Sequence, residues 1–257
     1  MMLLAIDVGN TNTMFAVVDH GEIVHRWRIS TQASRTSDEY MVWLTQLMEI
    51  DGVDRHKVHR VVISTVVPTT LFNLERMARR GFGIDPLVVT KDLDLGVGIE
   101  VAHPEQVGMD RLVNCVAVGD RHEGDFIIID FGTATTFDIF VGNAYTGGII
   151  APGINLSAEA LYVAAAQLPR VAVAPPKGGK AKGYDTVSAM QSGIFFGYLA
   201  MIEGLVARLK AEAAGPMKVL ATGGLAVLFE PYTSVIDVVD VDLTVRGLTI
   251  IDERNRR

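Results

Sequence analysis

Two short turns carry the residue types best suited to chemistry. Asp7-Val8-Gly9-Asn10-Thr11-Asn12-Thr13 and Asp130-Phe131-Gly132-Thr133-Ala134-Thr135-Thr136 each place an aspartate at the end of an apolar run, then a glycine, then hydroxyl side chains. Such a turn suits a nucleoside triphosphate. Glycine lets backbone amides approach phosphates, the hydroxyls of Thr11 and Thr13 can donate hydrogen bonds, and Asp7 can hold a hydrated Mg²⁺ that offsets phosphate charge. One such turn is equally an ordinary Asx/Gly hairpin. Two of them facing one cleft make a phosphate clamp. A third segment, Ala221-Thr222-Gly223-Gly224, follows an apolar run and would let a flat ring such as adenine lie against the backbone, although alone it reads as a helix start.

Phosphoryl transfer depends on positioning and charge neutralisation, so a site also needs a group oriented on the nucleophile and a cation near the transferring phosphoryl group. Asp110 and Arg111 offer both in one turn. On the residues alone, a helix-surface ion pair worth about 0–1 kcal/mol is the simpler reading of that pair. Other reactive types fall away. His56 and His59 have no third ligand near them and read as a solvated basic turn with Arg55, Lys57 and Arg60. Cys115 sits among Val113, Val116 and Val118 as a core residue, and Lys177-Gly178-Gly179-Lys180 lacks the Ser/Thr and spacing of a P-loop.

The elements that must position these residues show an internal echo. Asp7, Gly9 and Thr13 match Asp130, Gly132 and Thr136 at a constant separation of 123 residues, within matching apolar-turn-apolar contexts. Each copy reads as strand, turn, strand, which excludes the strand-turn-helix setting of a P-loop or dinucleotide fingerprint. Between and after the copies, helices are expected at Ser37–Met48, with Ser37 as N-cap, and at Thr69–Arg80, Glu105–Val118, Ser157–Ala166 and Thr186–Ala214. Strands are expected at Arg60–Val66, Leu87–Thr90, Lys218–Ala221 and Val235–Val238. The expectation is an α/β unit used twice, with domains at 1–119 and 120–257.

Composition agrees with two such units. The chain has 257 residues, 49% hydrophobic and 21% charged, with ample apolar material for a core. Its 23 Lys+Arg against 30 Asp+Glu leave a net charge of −7, the wrong sign for a broad nucleic-acid surface. A lone cysteine excludes an intrachain disulfide framework. No basic leader precedes Asp7, and no run approaches the roughly 20 apolar residues of a bilayer span. A cytoplasmic protein with neither nucleic-acid nor membrane partners is expected.

Taken in order, the Asp7 turn, Gly108-Met109-Asp110-Arg111, the Asp130 turn, Gly147-Gly148-Ile149-Ile150-Ala151-Pro152-Gly153 and Ala221-Thr222-Gly223-Gly224 resemble the type III pantothenate kinases over essentially the whole chain. The turns are common to the acetate and sugar kinase, Hsp70 and actin superfamily; the Gly-x-Asp-Arg tetrad narrows the likeness to this family. The resemblance implies two ribonuclease H-like domains related by duplication, mixed β-sheets flanked by helices, an ATP cleft between them and a homodimer. It implies phosphorylation of the 4′-hydroxyl of pantothenate by ATP, the first step of coenzyme A synthesis. ATP binding would fall to Asp7, Val8, Gly9, Asn10, Thr11, Asn12, Thr13, Met14 and Thr133, and a monovalent cation, K⁺ or NH₄⁺, to Asp130. Gly108, Met109, Asp110 and Arg111 would line the pantothenate site with Asp110 as proton acceptor, and Thr186 would be a further substrate contact. At Val101 the chain departs from the pattern: many relatives carry there a tyrosine that touches pantothenate, and valine has neither ring nor hydroxyl.

Overall fold

The computed structural model describes residues 2–164 and 168–256. The chain forms two compact units. Unit 1 comprises residues up to Gly98, Ala102–His122 and Leu243 onward; unit 2 comprises Ile99–Val101 and Glu123–Asp242.

In unit 1 the strands are β1 (Met2–Val8), β2 (Asn12–Asp19), β3 (Glu22–Ser30), β4 (Val58–Thr65) and β5 (Leu87–Val88), with helices α1 (Ser37–Ile50) and α2 (Pro68–Phe82). The sheet order is β3-β2-β1-β4-β5, with β1–β2 and β2–β3 antiparallel and β1–β4 and β4–β5 parallel. β1 is buried along Leu3–Ile6, as a central strand covered on both faces must be. β3 alternates and carries charges, as suits an edge. Leu4, Ile6, Val8, Phe15 and Val17 pack with Tyr40, Leu44 and Met48 of α1 and Leu74 and Met77 of α2. α1 buries those three residues at four-residue spacing, while Val42 faces solvent. Its N-cap is Thr36 rather than the expected Ser37: the Thr36 hydroxyl accepts from the Glu39 N–H and the Glu39 carboxylate accepts from the Thr36 N–H, a reciprocal capping box.

After β6 (Gly98–Ile99) and helix α3 (Met109–Arg121), unit 2 repeats the pattern with β7 (Asp125–Phe131), β8 (Ala134–Val141), β9 (Ala144–Pro152), helices α4 (Ile154–Ala164) and α5 (Thr186–Glu212), β10 (Met217–Thr222), the short α6 (Ala226–Phe229) and β11 (Val238–Val239). Its order, β11-β10-β7-β8-β9-β6, is the strand order of unit 1 with one added edge strand. The core gathers Ile127, Ile129 and Phe131 with Phe195, Tyr198, Ile202 and Phe229. The expected helix Ser157–Ala166 is α4; its last expected residues, Ala165 and Ala166, lie outside the described residues. α5 is long and apolar enough to cross a membrane by length and composition, contrary to the expectation of no such run, and it packs one face, Phe195, Tyr198, Leu199, Ile202 and Val206, into this core.

The second expected domain, 120–257, ends early. The final helix, α7 (Leu243–Arg254), belongs to unit 1. Gly247 allows α7 to lie against α3, since a Cβ there would collide with the Val113 carbonyl. Thr244 Oγ1 donates to Asn114 Oδ1 at 2.8 Å, the buried Asp252 pairs with Arg60 of β4, and the Asn255 amide clasps Asp94 at 2.9 and 3.0 Å. This helix is the second cover of the unit 1 sheet.

Candidate active site

Strand parity places both acidic side chains. On β1, Leu4, Ile6 and Val8 face the α1/α2 core, so Asp7 stands on the opposite face with Leu3 and Ala5. On β7, Ile127, Ile129 and Phe131 face their core, so Asp130 stands with Phe126 and Ile128. Each aspartate is half-buried at the end of its strand, with a hydroxyl residue in register on the next parallel strand: Ser64 beside Asp7 and Thr222 beside Asp130. The Ser64 hydroxyl is buried without a hydrogen-bond partner among the described residues.

The turns themselves are alike but not equal. Gly9 N–H donates to Asn12 O at 3.0 Å, and Gly132 N–H to Ala134 O at 3.1 Å. The first turn leaves Asn10, Thr11 and Asn12 exposed, and the second leaves Gly132 and Thr133 exposed, so these are the residues able to meet a ligand. In the first, Val8 opposes Thr13 and Asp7 opposes Met14; in the second, Phe131 opposes Thr135 and Asp130 opposes Thr136. The turn after Asp130 is one residue shorter. The sequence match of Thr13 with Thr136 therefore does not hold in space: Thr13 corresponds to Thr135, and both are buried on the core face. The Thr13 hydroxyl bonds to Thr31 at 2.9 Å, and that of Thr135 bonds to Tyr198. Thr13 was expected to offer its hydroxyl to phosphate, yet its side chain points inward, and Thr11 is left as the exposed hydroxyl of the first turn.

In unit 2 two glycine segments close on the second turn. Gly153 abuts the Thr133 carbonyl, where a Cβ would collide. Gly223, at φ +87°, brings its backbone so near that a Cβ would stand 2.8 Å from Asp130 Oδ1 and 2.7 Å from Phe131 O. These oxygens border a cradle open only because residue 223 is glycine. Oxygen-only donors of that kind fit a hard cation. No group of three or more His, Cys, Asp and Glu that could hold a metal occurs among the described residues, so a cation at either aspartate would draw its remaining ligands from carbonyls, water or phosphate.

The tetrad Gly108–Arg111 opens α3. The helix was expected from Glu105, but Pro104–Gln106 forms a separate 3₁₀ turn and Gly108 is the N-cap. Asp110 thus lies in the first helical turn, where a carboxylate is favoured by the helix dipole. Arg111 N–H donates to Asp110 Oδ1 at 2.9 Å. Burial pushes the Asp110 carboxyl above its ordinary value, opposed by that hydrogen bond and by the Arg111 charge. A Cβ at Gly108 would collide with Asp110 Oδ1, so the glycine leaves room for this rotamer.

Thr186 is the first residue of α5. Asp185 caps the helix, accepting from Ser188 N–H at 2.8 Å, which holds the Asp185 carboxyl below its usual range. Thr186 lines a cavity of about 790 Å³ with Ser157 and Leu161 of α4 and Met190, Gly193 and Tyr198 of α5. Val101 falls in the Ile99–Val101 segment of unit 2, next to Glu100, whose N–H donates to Tyr145 O at 2.8 Å. The His56 backbone N–H donates to Asp54 Oδ1 at 3.0 Å in an exposed basic turn, and Cys115 is buried in α3.

Comparison with known proteins decides among kinases of this build. Residues 3–208 match the family described as type III pantothenate kinase. A type III pantothenate kinase from Caulobacter vibrioides is 53% identical over 256 residues, covering 99% of this chain and 98% of that protein. The chain belongs to the type III pantothenate kinase family. Solved structures extend the fold beyond type III pantothenate kinases. The ethanolamine utilization protein EutJ from Carboxydothermus hydrogenoformans aligns with a TM-score of 0.56 at 12% identity, covering 98% of this chain and 90% of that one. The inorganic polyphosphate/ATP-glucomannokinase from Arthrobacter aligns with a TM-score of 0.50 at 12% identity, covering 99% of each chain. The structure sets both turns at strand ends and the tetrad at the start of α3, and Ser64, Thr31 and Tyr198, which border the turns, carry no local signature in the sequence.

Proposed function

We propose that this member of the type III pantothenate kinase family uses Asp110 as the proton acceptor for the pantothenate hydroxyl and its turn residues as donors to the phosphates of ATP. The enzyme is a kinase that phosphorylates pantothenate with ATP in coenzyme A biosynthesis. In this reading Asn10, Thr11 and Asn12 meet the phosphates, with Thr133 adding a contact, while Val8, Gly9, Thr13 and Met14 hold the turn in place. Arg111 and the Gly108–Met109 backbone orient the acceptor, and Thr186 and Val101 are further acceptor contacts. The hydroxyl proton passes to the Asp110 carboxylate as the oxygen attacks the γ-phosphorus and the bond to the β-γ bridging oxygen breaks, giving 4′-phosphopantothenate and ADP.

The observation that carries this reading is the placement of Asp110: half-buried, in the first turn of α3, with its carboxyl pushed toward the pH at which a general base works best. Asp7 would hold Mg²⁺, and Asp130, with the Phe131 carbonyl, would hold K⁺ or NH₄⁺. When bound, these cations supply charge neutralisation at the phosphates. The exposed apolar side chains of α4, Leu156, Leu161 and Val163, support a homodimer, which light scattering on the purified chain would test. The acidic balance supports an enzyme without nucleic-acid partners, and the lone cysteine supports a reducing, cytoplasmic compartment.

The test is ATP turnover with pantothenate in potassium and in sodium buffer, for the wild type and for Asp110→Asn. Turnover that needs potassium and collapses in the variant is expected. Full activity in Asp110→Asn would remove Asp110 as the base, and equal rates in the two buffers would remove the cation from Asp130.

A further inference from the structure

The turn after β1 is held from below by a residue outside every motif. Thr31 follows the last residue of β3. Its Oγ1 donates to the Gly9 carbonyl at 2.7 Å, and its N–H donates to the Thr11 carbonyl at 2.9 Å. A carbonyl only accepts and a hydroxyl has one proton, so in the 2.9 Å contact of the Thr13 and Thr31 hydroxyls Thr13 is the donor. One residue therefore fixes three points of the turn in a single directed chain, Thr13 to Thr31 to Gly9, with the Thr11 carbonyl fixed alongside.

Pinned carbonyls aim the amides that follow them. The peptide group is planar and trans, so its N–H points opposite to its C=O. With the Gly9 and Thr11 carbonyls drawn onto Thr31, the N–H groups of Asn10 and Asn12 are directed away from it, and both residues are exposed. We infer that Thr31 is a positioning residue for ATP: its hydroxyl and amide set the orientation of the two backbone donors that meet the phosphates. This rests on the reading of the β1–β2 turn as a phosphate-binding turn. Valine at 31 would fill the same space but leave the Gly9 carbonyl and the Thr13 proton without their partner, letting the first peptide rotate; serine would keep both bonds.

The test compares wild type, Thr31→Val and Thr31→Ser by calorimetric titration with Mg²⁺-ATP and by steady-state kinetics in both substrates. Thr31→Val is expected to weaken ATP binding and raise KM for ATP roughly tenfold, with KM for pantothenate changed less than about twofold and Thr31→Ser within about twofold of wild type throughout. Unchanged ATP affinity in Thr31→Val overturns the inference whatever the melting temperature does. Equal losses in the valine and serine variants also overturn it, because the methyl group and not the hydroxyl would then matter. A wild type that binds no ATP overturns the phosphate-turn reading and the inference with it. If wild type binds ATP without phosphorylating pantothenate, only the acceptor assignment fails, and the titrations still decide the role of Thr31.

Discussion

The two turns arose from one pattern and are braced in different ways. Each follows a buried central strand, ends that strand on a half-buried aspartate and sets a buried threonine at the start of the next strand. In unit 1 the brace is Thr31, just past the end of β3, acting on a four-residue turn. In unit 2 it is Tyr198, from the middle of α5, acting on a turn one residue shorter. The helix that braces the second turn also begins at Thr186 and lines the α4–α5 cavity, so the second turn is tied to a ligand-sized space. A second difference lies on the parallel strand. By register, Thr65 in unit 1 corresponds to Gly223 in unit 2. Thr65 Oγ1 accepts from Val67 N–H at 2.9 Å and prepares the start of α2, whereas Gly223 leaves open the cradle at Asp130. The two units share one strand order and differ at the positions that touch each turn.

The largest expected effect separates the units by chemistry, since only unit 1 holds the Gly108–Arg111 tetrad. Asp110→Asn should lower kcat by about 10²–10⁴-fold, the range of general-base catalysis. Asp130→Asn should instead abolish the rate difference between potassium and sodium buffers. Steady-state assays of both variants would break the division of labour if their phenotypes were interchangeable.

Next is Gly223→Ala, which forces a side chain into left-handed backbone and onto Phe131 O and Asp130 Oδ1. A loss of about 2–4 kcal/mol in unfolding free energy is expected, combining strain with overpacking. Thr65→Gly, in the corresponding place, should cost less; chemical denaturation of the two variants would sharpen or erase the contrast.

Tyr198→Phe should follow, at about 1–3 kcal/mol, because it removes a buried hydroxyl and leaves Thr135 without that partner. Burial holds the Tyr198 phenol above its ordinary pKa, so it stays protonated across the working range and the effect should not vary with pH. Thermal melts at several pH values check both statements.

The smallest effect is on stability at Asp110. Its folded-state pKa is raised, so ionisation disfavours the folded chain: the folded state is relatively stabilised below the unfolded value, about 3.9, and loses that advantage as pH rises through the folded value. Asp110→Asn should therefore melt higher than wild type near neutrality, and the gap should close on acidification toward pH 4. A variant that melts lower at neutral pH would contradict the stated burial effect.

Much of this architecture is legible in the chain. Apolar runs ending in Asp-x-Gly mark β1 and β7, and the alternation after each turn marks β2 and β8, because strand periodicity is local. The helices α2 and α5 begin close to where Pro68 and Asp185 put them. The equivalence of Thr13 with Thr136 fails for a physical reason: side chains alternate faces along a strand, so a one-residue difference in turn length carries Thr136 to the opposite face. Thr31 and Tyr198 could not be read, since each gains its role from partners 18 and 63 residues away. The return of α7 to unit 1 was equally hidden. The buried pairing of Arg60 with Asp252, the seat of Gly247 on Val113 and the hydrogen bonds of Thr244 to Asn114 and Asn255 to Asp94 show why α7 does not stay with the second unit.

The most direct measurement of the account is the pH dependence of kcat/KM for pantothenate in potassium buffer, for wild type and Asp110→Asn. The account predicts a wild-type rate that falls on acidification with a midpoint above the ordinary carboxylate value of about 3.9, and a residual rate in Asp110→Asn without that limb. The same limb in both proteins, or an undiminished Asp110→Asn, would contradict it.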